Sequence, residues 1–332
     1  LIISPDRWGE MKLSKHHYAI QLAGLCKRVY FLNPPQKNIP SEFHVEQEDK
    51  INNLHIVSYR PWFNYKIRFH FRLGFDFLMK FQIDRIIRGI GEQIDIAWCF
   101  EPNLYSNLTH FKAQLCIFHP VDEIEYSYQK KVAEHADIVF SVSHHTISKF
   151  NEINTPAHFV NHGVSPLFLS DELSNLGDNV QKSGKIKVGY VGNLFLSSLD
   201  RESIMNLIKA HSEVFFYFWG PSKLALSNLS GDVTTQVNDW IHWLEKADNV
   251  RLQGVLGTEQ MAVEINEMDM FYIALDNEKD KNRGANSHKV LEYLSTGKVV
   301  VSKNLGEYAN KNQLIEMTNG NSGEELLELF TK

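Results

Sequence analysis

The feature that most constrains this chain is a repeated alternation of short apolar run, polar loop and amphipathic helical pattern, sustained from one end to the other. Such an alternation is the sequence form of a parallel sheet covered by helices on both faces. In the first half the expected strands are Leu1–Ser4, Arg28–Leu32, Leu54–Ser58, Ile94–Phe100, Leu115–Phe118, Ile138–Val142 and Ala157–Asn161. Helical patterns fall between them at Ser14–Cys26, Tyr65–Gly89, Tyr126–Ala136 and His145–Glu152. From Ser165 to Lys185 the period lapses around Pro166, Gly177 and Gly184, which marks the best linker in the sequence. The alternation then restarts with strands Ile186–Val191, Val214–Phe218, Val250–Gln253, Met270–Ala274 and Val299–Ser302. Helices Asp200–Ala210, Val237–Lys246, Thr258–Glu267, Ser287–Ser295 and Gly323–Phe330 are interleaved with them. The expected organisation is therefore two α/β, doubly wound, Rossmann-like domains, residues 1–164 and 186–332, joined by a linker at 165–185.

Composition narrows the function classes. The 332 residues carry 34 basic and 40 acidic side chains, and a net charge of −6 lacks the basic excess of a dedicated nucleic-acid binder, so no nucleic-acid partner is expected. The longest strongly apolar stretch, Val214 to Trp219, is far short of the roughly 20 residues that span a bilayer. Neither a membrane span nor a signal peptide is expected. Cys26, Cys99 and Cys116 are odd in number and widely spaced, which predicts buried, reduced thiols in a cytoplasmic protein. The chain opens at Leu1 inside an expected strand, so short pieces are expected to be missing at its ends.

In open parallel sheets ligands sit outside the carboxyl ends of the strands, so loops after strands are searched first. No G-x-G-x-x-G follows a strand and no G-x-x-x-x-G-K-S/T occurs, which removes the main support for dinucleotide oxidoreduction and P-loop chemistry. The most informative stretch runs from Asp276 to Ser302. Ser287 suits an N-cap and Gly297 a C′ residue. Arg283, Gly284, Ala285 and Asn286 make a loop in which backbone N–H groups at the helix start can approach a phosphate. Lys289 adds a cation in the first turn. Glu292, three residues after Lys289 and four after His288, shares their helix sector and suits bidentate acceptance from the two hydroxyls of a ribose. The same residues also read as an exposed helix pair, and local chemistry leaves both readings open.

The run from His288 to Ser302, HKVLEYLSTGKVVVS, resembles the P-x-K-x-x-E-Y-x-A-x-G-K-P-V-V signature of GT-B glycosyltransferases of the retaining family-four type. Other segments resemble that family in the right order: Val188 to Leu194 its first donor-domain strand and glycine turn, Trp219 to Pro221 its G-P turn, and Asn249 to Gly254 its N-V-x-x-x-G strand. Phe159 to Val164 is similar to its V-x-N-G-V segment, with His162 inserted. The resemblance covers nearly the whole carboxyl half by motif and the amino half by architecture. It implies a nucleotide diphosphate sugar donor bound by the carboxyl domain, and a glycan or lipid-linked acceptor on the amino domain across a cleft. It places Glu292 on the ribose carboxylate, Lys289 on the basic position, and Gly192 with Asn193 on the turn near the diphosphate. The chain departs from the family in having Gly284 where a second glutamate is common, and in lacking the Arg and Lys that follow the glycine turn. Arg201 is the nearest cation, and Arg283 or Lys289 is expected to supply the charge.

In the amino half, the loop after the first strand contains Gly9 and leads to Ser14, expected to cap a helix whose first turn offers Lys15, His16 and His17 to an anion. Glu101, after the fourth strand, is a candidate acceptor contact. Phe118 to Glu123 resembles a segment of cell-surface-polysaccharide members of the family. On that resemblance His119 is expected to contact the donor sugar and Asp122 the acceptor hydroxyl, as contact or base; an ordinary turn aspartate is the alternative. No metal or other cofactor is expected, because helix N-termini and cations can stabilise a departing diphosphate.

Residues 61–90 hold six Lys or Arg against two Asp, interleaved with Trp62, Phe63, Tyr65, Phe69, Phe71, Phe75, Phe77 and Phe81. Residues 62–88 therefore suit either peripheral contact with a membrane or a helix whose Leu73, Phe77, Phe81 and Ile87 face the core. Taken together, the residues and the resemblance predict a sugar transferase of surface polysaccharide synthesis, retaining in stereochemistry. The alternatives are a degenerate nucleotide- or glycan-binding subunit and, with less support, a sugar-nucleotide epimerase.

Overall fold

A computed structural model describes residues 1–9, 12–39, 41–121, 125–169, 184–222, 235–276, 279, 286–303, 305–309, 311, 314–318 and 323–331. The chain divides between Asn161 and His162 into two compact units, each with its own sheet and cores.

The first domain contains β1 (Ile2–Ile3), α1 (Ser14–Ala23), β2 (Val29–Leu32), β3 (Phe43–Gln47), β4 (Leu54–Tyr59), α2 (Arg72–Ile90), β5 (Ile96–Cys99), β6 (Leu115–Phe118), α3 (Tyr126–Ala133), β7 (Ile138–Ser141), α4 (His144–Ser148) and β8 (Ala157–Phe159). Its sheet has the order β3-β4-β2-β1-β5-β6-β7-β8 and is parallel except for β3. The strand order reverses between β1 and β5. Short runs such as Val29–Leu32 and Leu115–Phe118 are buried on both faces because helices cover both, which is why they read as nearly unbroken apolar segments.

The expected helix Tyr65–Gly89 is two elements, a 3-10 turn at Tyr65–Phe69 and then α2. Its orientation also differs from the core-facing alternative. Phe75, Met79, Ile83, Ile86 and Ile90 pack into the core, whereas Leu73, Phe77 and Phe81 are exposed. Two sets at helical spacing exist in this sequence, and the one completed by isoleucines and Met79 closes against Cys99, Phe111 and Val139.

The second domain contains β9 (Lys187–Val191), α5 (Arg201–Ala210), β10 (Phe215–Trp219), α6 (Thr235–Lys246), β11 (Val250–Gly254), α7 (Thr258–Asn266), β12 (Met270–Ile273), α8 (His288–Ser295), β13 (Val299–Ser302), β14 (Glu316–Met317) and α9 (Gly323–Thr331). All six strands are parallel, in the order β11-β10-β9-β12-β13-β14, the doubly wound order in which the reversal lies between β9 and β12. Ser165 to Leu169 of the expected linker belongs with this domain, since the 3-10 turn Pro166–Leu169 buries Phe168 against α7 and α8. Residues 170–183 lie outside the described residues. Cys99 and Cys116 are buried, Cys26 is partly exposed, and none of the three is bridged. Among the described residues no helix is long and apolar enough to cross a membrane.

Candidate functional site

The second domain places its candidate residues at the sheet's reversal point, on the turn after β9 and on the segment entering α8. The turn depends on two glycines. Gly192 donates its N–H to the Trp219 carbonyl at 2.8 Å, and Gly220 sits at φ +144, where an added Cβ would lie 1.8 Å from the Gly192 carbonyl oxygen. No other residue permits so close an approach of the two strand ends at that backbone angle. Asn193 is buried and accepts the Phe195 N–H at 3.0 Å, folding the chain back after the turn. Arg201 donates to the Leu196 carbonyl at 2.8 Å and lies 5.4 Å from the Trp240 ring, so it shapes this loop.

Helix α8 is fastened to the same turn. The Tyr293 hydroxyl accepts the Val191 N–H at 2.7 Å, and its ring stacks on Phe271 at 4.1 Å. The residue before Gly192 is thus held by the residue after Glu292. At the start of α8, Ser287 stands at the N-cap as expected but makes no side-chain capping bond; instead its carbonyl closes the first turn by accepting the Val290 N–H at 3.2 Å. Asn286 is buried, and its carbonyl accepts from His162 Nε2 at 3.0 Å. Gly297 at φ +69 takes the C′ place foreseen for it. Arg283 lies outside the described residues.

Lys289 and Glu292 are coupled on one face of α8. Burial pushes the Lys289 ammonium down to about 8, opposed by Glu292, and pushes the Glu292 carboxyl up to about 7, opposed by Lys289. The Glu292 side chain keeps 20% of its surface exposed, with His288 Nε2 3.9 Å away. This is a half-desolvated acid and base pair, unlike an exposed surface pair, whose charges water would screen.

Sequence reasoning missed a second charged pair. Lys303, directly after β13, is buried against Asp200, which also accepts the Ser203 N–H at 3.1 Å as N-cap of α5. Asp200 donates its N–H to the Ala274 carbonyl at 3.2 Å, so the pair ties the ends of β12 and β13 to the start of α5. A lysine ending an apolar strand was the available signal. Among the described residues no cluster of metal-ligating side chains occurs.

In the first domain the expected contacts are differently disposed. Gly9 is exposed with open space around it. Lys15 is buried and paired with Asp6. His16 is fully buried; its Nδ1 accepts the Leu13 N–H at 3.0 Å, so its Nε2 carries the proton and donates to the Arg7 carbonyl at 2.9 Å. Burial pushes this imidazole down to about 4. His16 therefore pins the loop after β1 as a neutral ring, contrary to an anion-binding role, and Leu13 rather than Ser14 occupies the N-cap. Glu101 is buried, accepts the Asn103 N–H at 2.6 Å, and is raised by desolvation above the usual carboxylate range. His119 is also fully buried, boxed by Tyr18, Trp98, Phe100 and Phe140, with its Nδ1 accepting the Trp98 indole Nε1–H at 3.3 Å. Aromatic rings thus surround the residue for which a sugar contact was expected. Asp122 lies outside the described residues.

No protein-family model matches the chain, and no curated protein matches it in sequence. Solved structures do match in fold. Sucrose-phosphate synthase from Thermosynechococcus elongatus superposes with a TM-score of 0.73 at 11% identity, covering 99% of this chain and 88% of its own. The fold is GT-B. Anabaena HepE in complex with UDP and glucose gives 0.67 at 12% identity, with coverages of 99% and 88%. The Burkholderia xenovorans UDP-forming trehalose-phosphate synthase in complex with glucose-6-phosphate gives 0.66 at 12%, covering 99% and 91%. The GT-B architecture expected from the resemblance is therefore present across the whole chain, including the amino half, where sequence motifs were sparse.

Proposed function

We propose that this chain is a glycosyltransferase that takes a sugar from a nucleoside diphosphate sugar, held at the reversal point of the second domain, and delivers it to a hydroxyl of a glycan or lipid-linked acceptor. The observation that carries the reading is the fastening of the Gly192 turn to α8 through Tyr293, which fixes Lys289 and Glu292 beside a glycine turn at the end of β9. In this reading Glu292 accepts the ribose hydroxyls. Lys289, with backbone N–H groups near Asn286 and Ser287, meets the diphosphate, and Gly192 and Asn193 let it approach the sheet. Arg283 adds charge to the leaving group. Asp122 contacts the acceptor hydroxyl. These groups can stabilise the departing diphosphate without a metal. The Burkholderia synthase is UDP-forming and Anabaena HepE is in complex with UDP, so uridine is the first nucleotide to test.

A surface polysaccharide acceptor, a cytoplasmic setting and retention of the anomeric configuration belong to the same proposal, on the strength of the family resemblance. The burial of His16, Glu101 and His119 favours one alternative, a nucleotide-binding member without transfer activity.

The test is release of nucleoside diphosphate from a panel of sugar nucleotides, with and without simple sugar acceptors. Turnover with at least one donor, reduced at least about tenfold in Glu292→Ala, is expected from loss of a positioned hydrogen bond to a charged group. Binding without any release would favour the non-catalytic reading.

A further inference from the structure

Helix α2 of the first domain presents a second apolar face. Its core face is already complete, yet Leu73, Phe77 and Phe81 recur every fourth residue and are 74%, 62% and 46% exposed, with Phe69 and Phe71 exposed just ahead. Single exposed apolar residues are ordinary, but a contiguous row marks an interaction surface. The Phe77 and Phe81 rings meet edge to face at 5.0 Å, so the row is a ridge rather than scattered rings.

The charge around this ridge selects its occupant. Residues 61–90 carry four more positive than negative charges within a chain of net charge −6. Lys66 and Lys80 are exposed and form no ion pair among the described residues. Beside Phe77 lies a groove of about 450 Å³ lined by Lys80 and Lys131, with Glu134 and with Asp76, which is already paired to Arg72. A second copy of the chain would bring the same positive excess against its own. An anionic bilayer brings the opposite charge, with an acyl boundary for the rings and phosphates for the ammonium groups.

We propose that the outer face of α2 docks this protein on a membrane surface rich in anionic phospholipid. The inference does not depend on the donor site. It is tested by flotation of the full chain with vesicles of phosphatidylcholine alone or mixed with phosphatidylserine, at low and high salt. Co-flotation with the anionic vesicles, loosened by salt, is expected. The bound fraction should fall at least about tenfold in Leu73→Ser/Phe77→Ser/Phe81→Ser and substantially in Lys80→Glu/Lys131→Glu. All five side chains are exposed, and circular dichroism checks the fold of each variant. Absence of flotation at low salt overturns the proposal, as does flotation that the substitutions leave unchanged. Concentration-dependent self-association in sedimentation velocity, abolished by the triple substitution, would assign the ridge to a second copy and also overturn it.

Discussion

Lys289 and Glu292 derive their chemistry from partial burial, and that burial makes a pH-dependent prediction. Glu292 is raised from 4.5 to about 7, so the folded protein holds this proton more firmly than the unfolded chain; the stability so gained is complete below about 4.5 and lost as pH rises through 7. Lys289 is lowered from 10.5 to about 8, so its contribution is present above 10.5 and lost as pH falls through 8. Between 7 and 8 both groups are charged and the pair is least favourable to the fold. An anion placed against Lys289 would reverse its shift and recharge it. Binding of a nucleoside diphosphate near pH 8 is therefore expected to take up protons, seen calorimetrically as an enthalpy that differs between buffers of different ionisation enthalpy. Lys289→Met should abolish the difference. An enthalpy independent of buffer in the wild type would place the diphosphate elsewhere.

Among elements, the contact between β9 and α8 holds together the turn and the helix on which the proposed site is built. Tyr293→Phe leaves the partly buried Val191 N–H without its partner, a loss of about 1 kcal/mol, and should weaken nucleotide binding although residue 293 need never touch the ligand. Gly220→Ala combines a left-handed backbone with a Cβ driven onto the Gly192 carbonyl, so a loss of several kcal/mol, roughly 3 or more, is expected. Thermal melts and nucleotide titrations of the two variants check both. A Tyr293→Phe protein with unchanged affinity would show that the turn and α8 need not be coupled. The elements that escaped sequence reading were those with the least local signal. β3, Phe43–Gln47, is an antiparallel edge strand interrupted by His44 and Glu46, and β14 is two residues long. The helix α2 was legible as a helix, but which of its two apolar rows met the core was decided by packing partners far along the chain.

At the scale of the whole molecule, the alternation of short apolar runs and amphipathic helices was enough to foresee two doubly wound sheets, because inner strands such as Leu54–Tyr59, Leu115–Phe118 and Met270–Ile273 are short, largely buried and each followed by a helix. The placing of the candidate donor residues was legible for a related reason: Lys289 and Glu292 lie on a regular helix and Gly192 on the turn directly after a strand, positions that the pattern fixes. The Lys303–Asp200 pair and the roles of His16 and His119 were not, since burial of a polar side chain depends on contacts between distant segments that no local period records. The proposed nucleotide site of the second domain is built on α8. Its most direct test is calorimetric titration of the full chain with a panel of nucleoside diphosphates, repeated with Glu292→Ala. Micromolar binding of one diphosphate, weakened by the substitution at least tenfold, or about 1.4 kcal/mol, is the predicted result. A well-folded wild-type protein that binds none of them, or binds one equally well without the Glu292 carboxylate, would contradict the account.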